Sequence, residues 1–555
     1  MKPEFDVVIV GSGAGGSACA WALAEAGIKV LVLEAGPEYN PEHDYRLSRP
    51  DWELQRFPGK PRSQGRYAFA PLQPIDPGMG HLMSWNHLRG RMNTGPRRLP
   101  YAYHHVRGIG GSTLHFTGEA HRLNPLSMRM KSRFGVAADW PFDYRELEPY
   151  YARAEQIVGV AGPDKEPTRP RNTPYSLPAH AQSYASRILG KGMSKLSINW
   201  TPNSLAVLSK AYDDRPPCNY CGNCNRGCPI RDKGSADVTF MRRARVTGRC
   251  HVLTECQVIR LNAGKSDRIA SLEYADKENK RHAIDLGNKI LVLACGAVET
   301  PRLLLASDNS HAPQGIANES GQVGKNFMET IAWTSAGIHP KAIGSHRGHP
   351  CDSISWDYNA PDAIPDVIGG CRFTPGTAEA DLIGPVNYAE RVVPGWGRQH
   401  KQRMKALFGK VLAISSIGES VPNPETFVAL DPRRKDTLGM PLARIHSHLD
   451  GMALKRLTFM AKTARRILDA AGVEKIIEEY GSYDFFSSTH VFGTCRLGRD
   501  AEESVVNPNG RSHRWKNLYI ADTSVFPSSG GGEAPSLTVE ALALRTVEAM
   551  QKGGI

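Results

Sequence analysis

No run of apolar residues approaches the roughly 18 that a membrane span requires, and the hydrophobic stretch Val7–Val10 is short and breaks on glycines. The chain starts Met-Lys-Pro-Glu-Phe and passes straight into that strand. This leaves no room for a charged n-region, an apolar core and a cleavage site, so no export signal of its own is expected. A disulfide framework is also missing. Of eleven cysteines, four crowd between 218 and 228, while Cys19, Cys250, Cys256, Cys295, Cys351, Cys371 and Cys495 are scattered, a spread that predicts reduced, buried thiols. The net charge of +13 has no nucleic-acid character, because Arg242-Arg243 with Arg245 and Arg433-Arg434-Lys435 lack the interleaved aromatics of a base-stacking groove. They read as solvated basic surface, and no nucleic-acid partner is expected.

What is present is an ordinary globular composition, 40% hydrophobic and 23% charged, with 54 Gly and 39 Pro. At 555 residues the chain exceeds the roughly 250–300 at which single cores stop growing, so two joined domains are expected. Residues 6–10 read as a buried strand, 11–16 as a glycine turn, 17–26 as an Ala-rich helix and 28–33 as a second strand. Together they make one βαβ unit. Strand patterns return at 251–253, 257–261 and 289–294. Residues 331–485 read as an insertion that includes a helix at about 451–471, where Met452, Leu454, Leu457, Met460, Ala461, Ile467 and Leu468 recur near the helical period.

Gly11-Ser12-Gly13-Ala14-Gly15-Gly16 is a G-x-G-x-x-G turn between strand and helix. Gly11 permits the turn, Gly13 lets backbone approach a pyrophosphate, and Gly16 lets helix and strand pack closely. The helix N-terminus then offers free N–H groups to negative charge. Glu34, 18 residues after Gly16, closes the next strand where a carboxylate accepts from a ribose hydroxyl. A dinucleotide is therefore expected.

Five blocks in order resemble the glucose-methanol-choline (GMC) oxidoreductases: the glycine turn with Leu33-Glu34-Ala35-Gly36-Pro37; Arg107-Gly-Ile-Gly-Gly-Ser-Thr113; Gly296 to Leu305; Val323-Gly-Lys-Asn326; and His490-Val-Phe-Gly-Thr494 through Pro527. The resemblance implies an α/β (α+β overall) architecture, a Rossmann-like FAD-binding domain with an inserted β-sheet substrate-binding domain. The FAD-binding domain would comprise 1–45, 100–125, 216–330 and 491–555, and the substrate-binding or cap regions 46–99, 126–215 and 331–490. It places Asp522 near the ribityl-pyrophosphate, Val258 at the adenine, and Arg107, Gly110, Gly111 and Ser112 on a second glycine turn beside the flavin. His115 falls where some relatives bond the flavin covalently and others only contact it.

The same resemblance makes His490 the base that takes the hydroxyl proton while the carbinol hydrogen leaves as hydride; an imidazole pKa near 6.5 suits that role. The family's second polar residue, Asn or His, is missing. Its position aligns with Ala534 in Ser529-Gly-Gly-Gly-Glu533-Ala534-Pro535. Glu533 either reaches in as a substitute or only hydrogen-bonds its own turn, and the second role is otherwise lost or supplied by the insertion.

Cys218-x2-Cys221-x2-Cys224-x3-Cys228-Pro229 has the bacterial ferredoxin spacing. It reads as a 3Fe-4S or 4Fe-4S site, with zinc and plain thiols as the other readings, although structural zinc usually takes two pairs set apart by a longer loop. The segment is similar to the cysteine loop of bacterial sugar and polyol dehydrogenase catalytic subunits. That similarity implies a sugar or polyol substrate, a small export subunit that would carry the chain to the periplasm, and a cytochrome c as electron acceptor. The rivals are an oxygen-using alcohol oxidase and a non-redox flavin lyase.

Overall fold

The computed structural model describes residues 4–45, 47, 52–54 and 67–554. The βαβ unit forms as its pattern predicts: β1 (Val7–Val10), α1 (Ala14–Glu25) and β2 (Val30–Leu33). Every residue of β1 and β2 is buried, as continuous Val/Ile/Leu runs must be when a parallel sheet is covered on both faces. The five-stranded sheet runs Cys250–Leu253, β2, β1, Ile290–Leu293, Leu518–Ile520, all parallel. Its strands thus come from widely separated parts of the chain, and its C-terminal edge gathers the loops that follow them.

A second, six-stranded sheet has the order Cys371–Pro375, Val411–Gly418, Ile331–Ile338, Lys475–Gly481, Trp85–Asn86, Gly90–Arg91, each neighbour antiparallel. The helix Gly451–Ala470, capped by Asp450 accepting from the Ala453 N–H at 2.8 Å, packs Leu457, Met460, Ala461, Ala464 and Ile467 onto it. Trp333, Leu412 and Ile414 meet that helix, whereas Thr334, Ser415 and Tyr480 line a cavity. The period-2 alternation of a strand separates the two sets.

One segment lies elsewhere than expected. The helix Tyr144–Val158, within the 126–215 stretch grouped with the substrate-binding regions, contributes Leu147, Tyr151, Ala154 and Ile157 to the core around the parallel sheet. It packs against the C-terminal helix Ser536–Lys552. An internal Pro149 and a high polar content mask its apolar stripe in the sequence. All eleven cysteines are free thiols, and among the described residues no helix is long and apolar enough to cross a membrane.

Candidate active site

A cavity of about 1350 Å³ runs from the β1–α1 turn to the second sheet, lined at one end by Gly11 to Gly15 and at the other by Thr334, Ser415 and Tyr480. The cradle at its first end is built from glycines packed against backbone. Gly11 sits at φ +95°, and a Cβ on Gly16 would stand 2.1 Å from the Gly11 carbonyl. A Cβ on Gly15 would stand 1.9 Å from the Ala521 carbonyl, so α1 rests directly on the end of the 518–520 strand. Gly13 differs: its nearest neighbour would be the Gly111 Cα, 4.0 Å away. The space over Gly13 is kept for something other than protein. No side chain caps α1 and no acidic residue sits in its first turn, which leaves its N–H groups to an anion.

The second glycine turn stacks on the first through the Gly110 N–H, which donates to the Ser12 carbonyl at 3.0 Å. Glu34 joins the two: its carboxylate accepts from the Ser12 N–H (2.9 Å) and hydroxyl (2.7 Å), the Gly36 N–H (2.8 Å) and the Gly108 N–H (3.0 Å). The sequence offers Glu34 as a ribose acceptor; in the structure it also clasps both glycine turns, and the Ser12 hydroxyl is the one donor a ribose hydroxyl could replace. Asp522 has a similar double part. It lines the cavity while accepting from the Gly296 N–H, the Thr300 hydroxyl and the Ser524 N–H. Burial raises its carboxyl above the usual range, against those hydrogen bonds. Arg107 donates to Gln257 at 3.0 Å. Arg107, Gly111, Ser112, His115 and Val258 all line the cavity, and Gly110 lies just behind them. The cradle, the acidic residues and the volume fit a bound dinucleotide.

His490 lines the same cavity. Its backbone is clamped by Thr330, whose hydroxyl accepts from the His490 N–H at 2.8 Å and donates to its carbonyl at 2.9 Å. Burial, with a smaller push from the Arg372 guanidinium, lowers its imidazole to about 3, so the ring is neutral, with a free acceptor lone pair but a lower proton affinity than the free imidazole near 6.5. Ala534 lies on the cavity wall and brings no polar group of its own. Its N–H donates to His121 Nδ1 at 3.0 Å, and His121 Nε2 pairs with Asn203 Oδ1 at 3.0 Å. That pair of bonds fixes His121 as the neutral Nε2–H tautomer.

Glu533 requires a correction, because it does not reach the cavity as a substitute for the missing polar residue. Its side chain is buried in an ion pair with Arg169 at 2.7 Å, and the same oxygen accepts from Asn359 and from the Asn124 N–H. Asn359 also donates to the Gly531 carbonyl, and Arg372 to that of Gly532. Glu533 therefore anchors the glycine-rich turn that presents Ala534. Arg169→Met leaves a buried carboxylate without its cation and is expected to cost about 3–5 kcal/mol of stability, read from urea unfolding. A double variant with Glu533→Gln should recover part of the loss. An unchanged midpoint in the single variant would show that the pair does not hold this turn.

Arg372, Glu119, His121 and Glu379 escape the reading of the sequence, because they lie on two segments about 250 residues apart, 119–121 and 372–379, and carry no motif.

The four loop cysteines do not form a ligand set in this arrangement: among the described residues no group of three or more His, Cys, Asp or Glu side chains is placed to hold a metal. Cys228 Sγ donates to Asp232 at 3.0 Å, and Cys224 Sγ lies 3.5 Å from His349 Nε2. Burial raises all four thiols, Cys228 to about 12, which keeps them protonated. The loop nevertheless adjoins the cavity, since its Asn225 and Arg226 line it. The buried Lys233 ammonium ties it there by donating to the carbonyls of Cys224, Leu114 and Phe116.

A parallel sheet whose glycine cradle opens into one cavity with a histidine fits a dinucleotide-binding enzyme. Family models described as GMC oxidoreductase match residues 127–331 and 422–543, and a NAD(P)-binding Rossmann-like model matches 9–39. The chain belongs to the GMC oxidoreductase family, whose members act on alcohol groups, and membership together with the cradle implies FAD. It is 28% identical to the fructose dehydrogenase large subunit of Gluconobacter japonicus over 98% of this chain and 97% of that one. It is 27% identical to 2-methyl-1,2-propanediol dehydrogenase of Mycolicibacterium austroafricanum (98% and 94%) and 27% identical to paromamine 6'-oxidase of Streptomyces fradiae (98% and 91%). The crystal structure of pyridoxine 4-oxidase from Mesorbium loti superposes with a TM-score of 0.60 at 18% identity over 99% of both chains, a likeness of fold.

Proposed function

We propose that this protein is an FAD-dependent dehydrogenase that oxidises a carbinol of a sugar or polyol, with His490 as the base. The observation that carries the reading is that His490, held neutral, faces the same cavity as the glycine cradle. Gly11, Gly13 and Gly16 with the α1 N-terminus would hold the pyrophosphate, Glu34 a ribose, Val258 the adenine, and Arg107, Gly110, Gly111, Ser112, His115 and Asp522 the flavin half. Bound flavin supplies the hydride acceptor. His490 takes the hydroxyl proton, which leaves the carbinol as a carbonyl once its hydride has gone. The polar wall of Thr334, Ser415, Ser416 and Tyr480 suits a substrate with several hydroxyls. With Ala534 in place of the second polar residue, orientation of the substrate oxygen falls to His490 and this wall.

A dehydrogenase reading is favoured by the relatives named for fructose and propanediol oxidation. The fructose dehydrogenase relative is a large subunit, which supports a partner subunit and an external acceptor such as a cytochrome c. An iron–sulfur cluster on Cys218, Cys221, Cys224 and Cys228 rests on the spacing and on the loop's place beside the cavity. The thiols as arranged do not form its ligand set, so no electron step is assigned to them. The oxidase reading draws on the paromamine relative.

Anaerobic purification with iron and acid-labile sulfide analysis, followed by turnover with an artificial acceptor and under air, separates these readings. Turnover with the acceptor and little peroxide is the expected result. Stoichiometric peroxide without iron would establish the oxidase, and failure of every sugar and polyol to bleach the flavin would leave the non-redox alternative.

A further inference from the structure

At the end of the cavity away from the cradle, the loop after strand Cys371–Pro375 carries Glu379, whose side chain projects into the lumen. Its backbone is fixed by Tyr480, whose hydroxyl donates to the Glu379 carbonyl at 2.6 Å. The Cys351 thiol stands 3.9 Å from Oε1. Beside it lies a second carboxylate, Glu119. Asn203 Nδ2 ties Glu119 to the segment that carries Cys351, donating to Glu119 Oε1 and to the Cys351 carbonyl, each at 3.1 Å.

The charges around this point do not balance. Glu119 is matched by Arg372 at 2.5 Å, Asp381 by Arg226 at 2.6 Å and Glu478 by Arg391 at 2.5 Å. Among the described residues none of the ion pairs includes Glu379. His490 is neutral and the Arg372 guanidinium is held by Glu119, so among the described residues Glu379 has no ion-pair partner of its own on this part of the cavity wall. Desolvation by the cavity wall and the neighbouring Glu119 raise the Glu379 carboxyl, a lift that solvent in the open cavity tempers because the residue is exposed there. Arg372 acts on both Glu379 and His490, which puts the unmatched carboxylate and the base within one electrostatic neighbourhood.

We propose that Glu379 determines substrate specificity by pairing with an ammonium group of the substrate, so that the preferred carbinol belongs to an amino sugar or amino alcohol. An ammonium there holds the carboxylate in its ionised form and gives it the charge-assisted hydrogen bonds it lacks. Neutral polyols fill the cavity without that gain. The proposal rests on the carbinol-oxidising reading above and deepens it by naming the substrate class.

The test uses the flavin-loaded enzyme and matched pairs that differ only in amine against hydroxyl, such as glucosamine with glucose and 3-amino-1,2-propanediol with glycerol. The readout is anaerobic bleaching of the flavin. The expected result is a higher kcat/KM for the amine member, and a fall of the amine-to-hydroxyl ratio by about 10–100-fold in Glu379→Gln, the range of a hydrogen bond to a charged group. Ratios near unity in the wild type, or a ratio unmoved by the substitution, would overturn the amine assignment while leaving carbinol oxidation standing. Bleaching by neutral polyols but by no amine would do the same. Absence of bleaching by every carbinol would overturn the parent reading as well.

Discussion

Replacing His490 with alanine should leave the flavin bound and lower the rate of substrate-driven flavin bleaching by on the order of 10²–10⁴-fold, the usual contribution of a positioned base. The flavin should stay because His490 is not among the residues proposed to hold it. The loss should appear in kcat more than in KM, since proton removal belongs to the transition state. A pH profile adds a second check. A base acts in its unprotonated form, above its folded pKa, and burial and Arg372 place that value near 3. Activity should therefore persist as pH falls through the ordinary imidazole range near 6.5. Arg372→Gln removes one of the two lowering influences and leaves the Glu119 carboxylate without its cation, so the acid limb should move to higher pH. A profile that already falls at 6.5 in the wild type would mean that His490 is not the desolvated base described here.

The second large effect separates two glycines of the same turn. Gly13→Val should fold normally and lose its flavin, because a Cβ at Gly13 meets nothing of the protein closer than 4.0 Å but fills the space kept for the pyrophosphate. Gly15→Val should fail earlier. Its Cβ would stand 1.9 Å from the Ala521 carbonyl, a backbone atom that cannot swing aside, so α1 would lift off the sheet and the protein itself should be destabilised. Flavin content after purification and thermal melting of the apo forms read the two outcomes. A Gly13 variant that keeps full flavin would place the cofactor elsewhere.

Much of this was legible in local sequence. The β1–α1–β2 unit is written in contiguous residues, and so are the glycine turns, because a tight turn needs glycine at fixed offsets. The helix over 451–470 follows from its apolar period. The acidic pair Glu119 and Glu379, with Arg372 and His121, was not legible, since two distant segments, 119–121 and 372–379, meet only in the folded chain. Glu533 shows a different limit. A polar residue on a glycine-rich turn can face either side, and only the buried Arg169 decides that it faces away from the cavity. The cysteine spacing was plain to read, yet spacing along a loop does not fix where the sulfurs point.

The most direct test of the account is an anaerobic titration of the purified protein with a panel of sugars, polyols and their amino analogues, following the visible flavin spectrum in the wild type and in His490→Ala. The account predicts bound flavin in both, rapid bleaching by at least one carbinol in the wild type, and bleaching slowed by orders of magnitude in the variant. Bound flavin that dithionite bleaches but no carbinol does, or equal rates with and without His490, would contradict it.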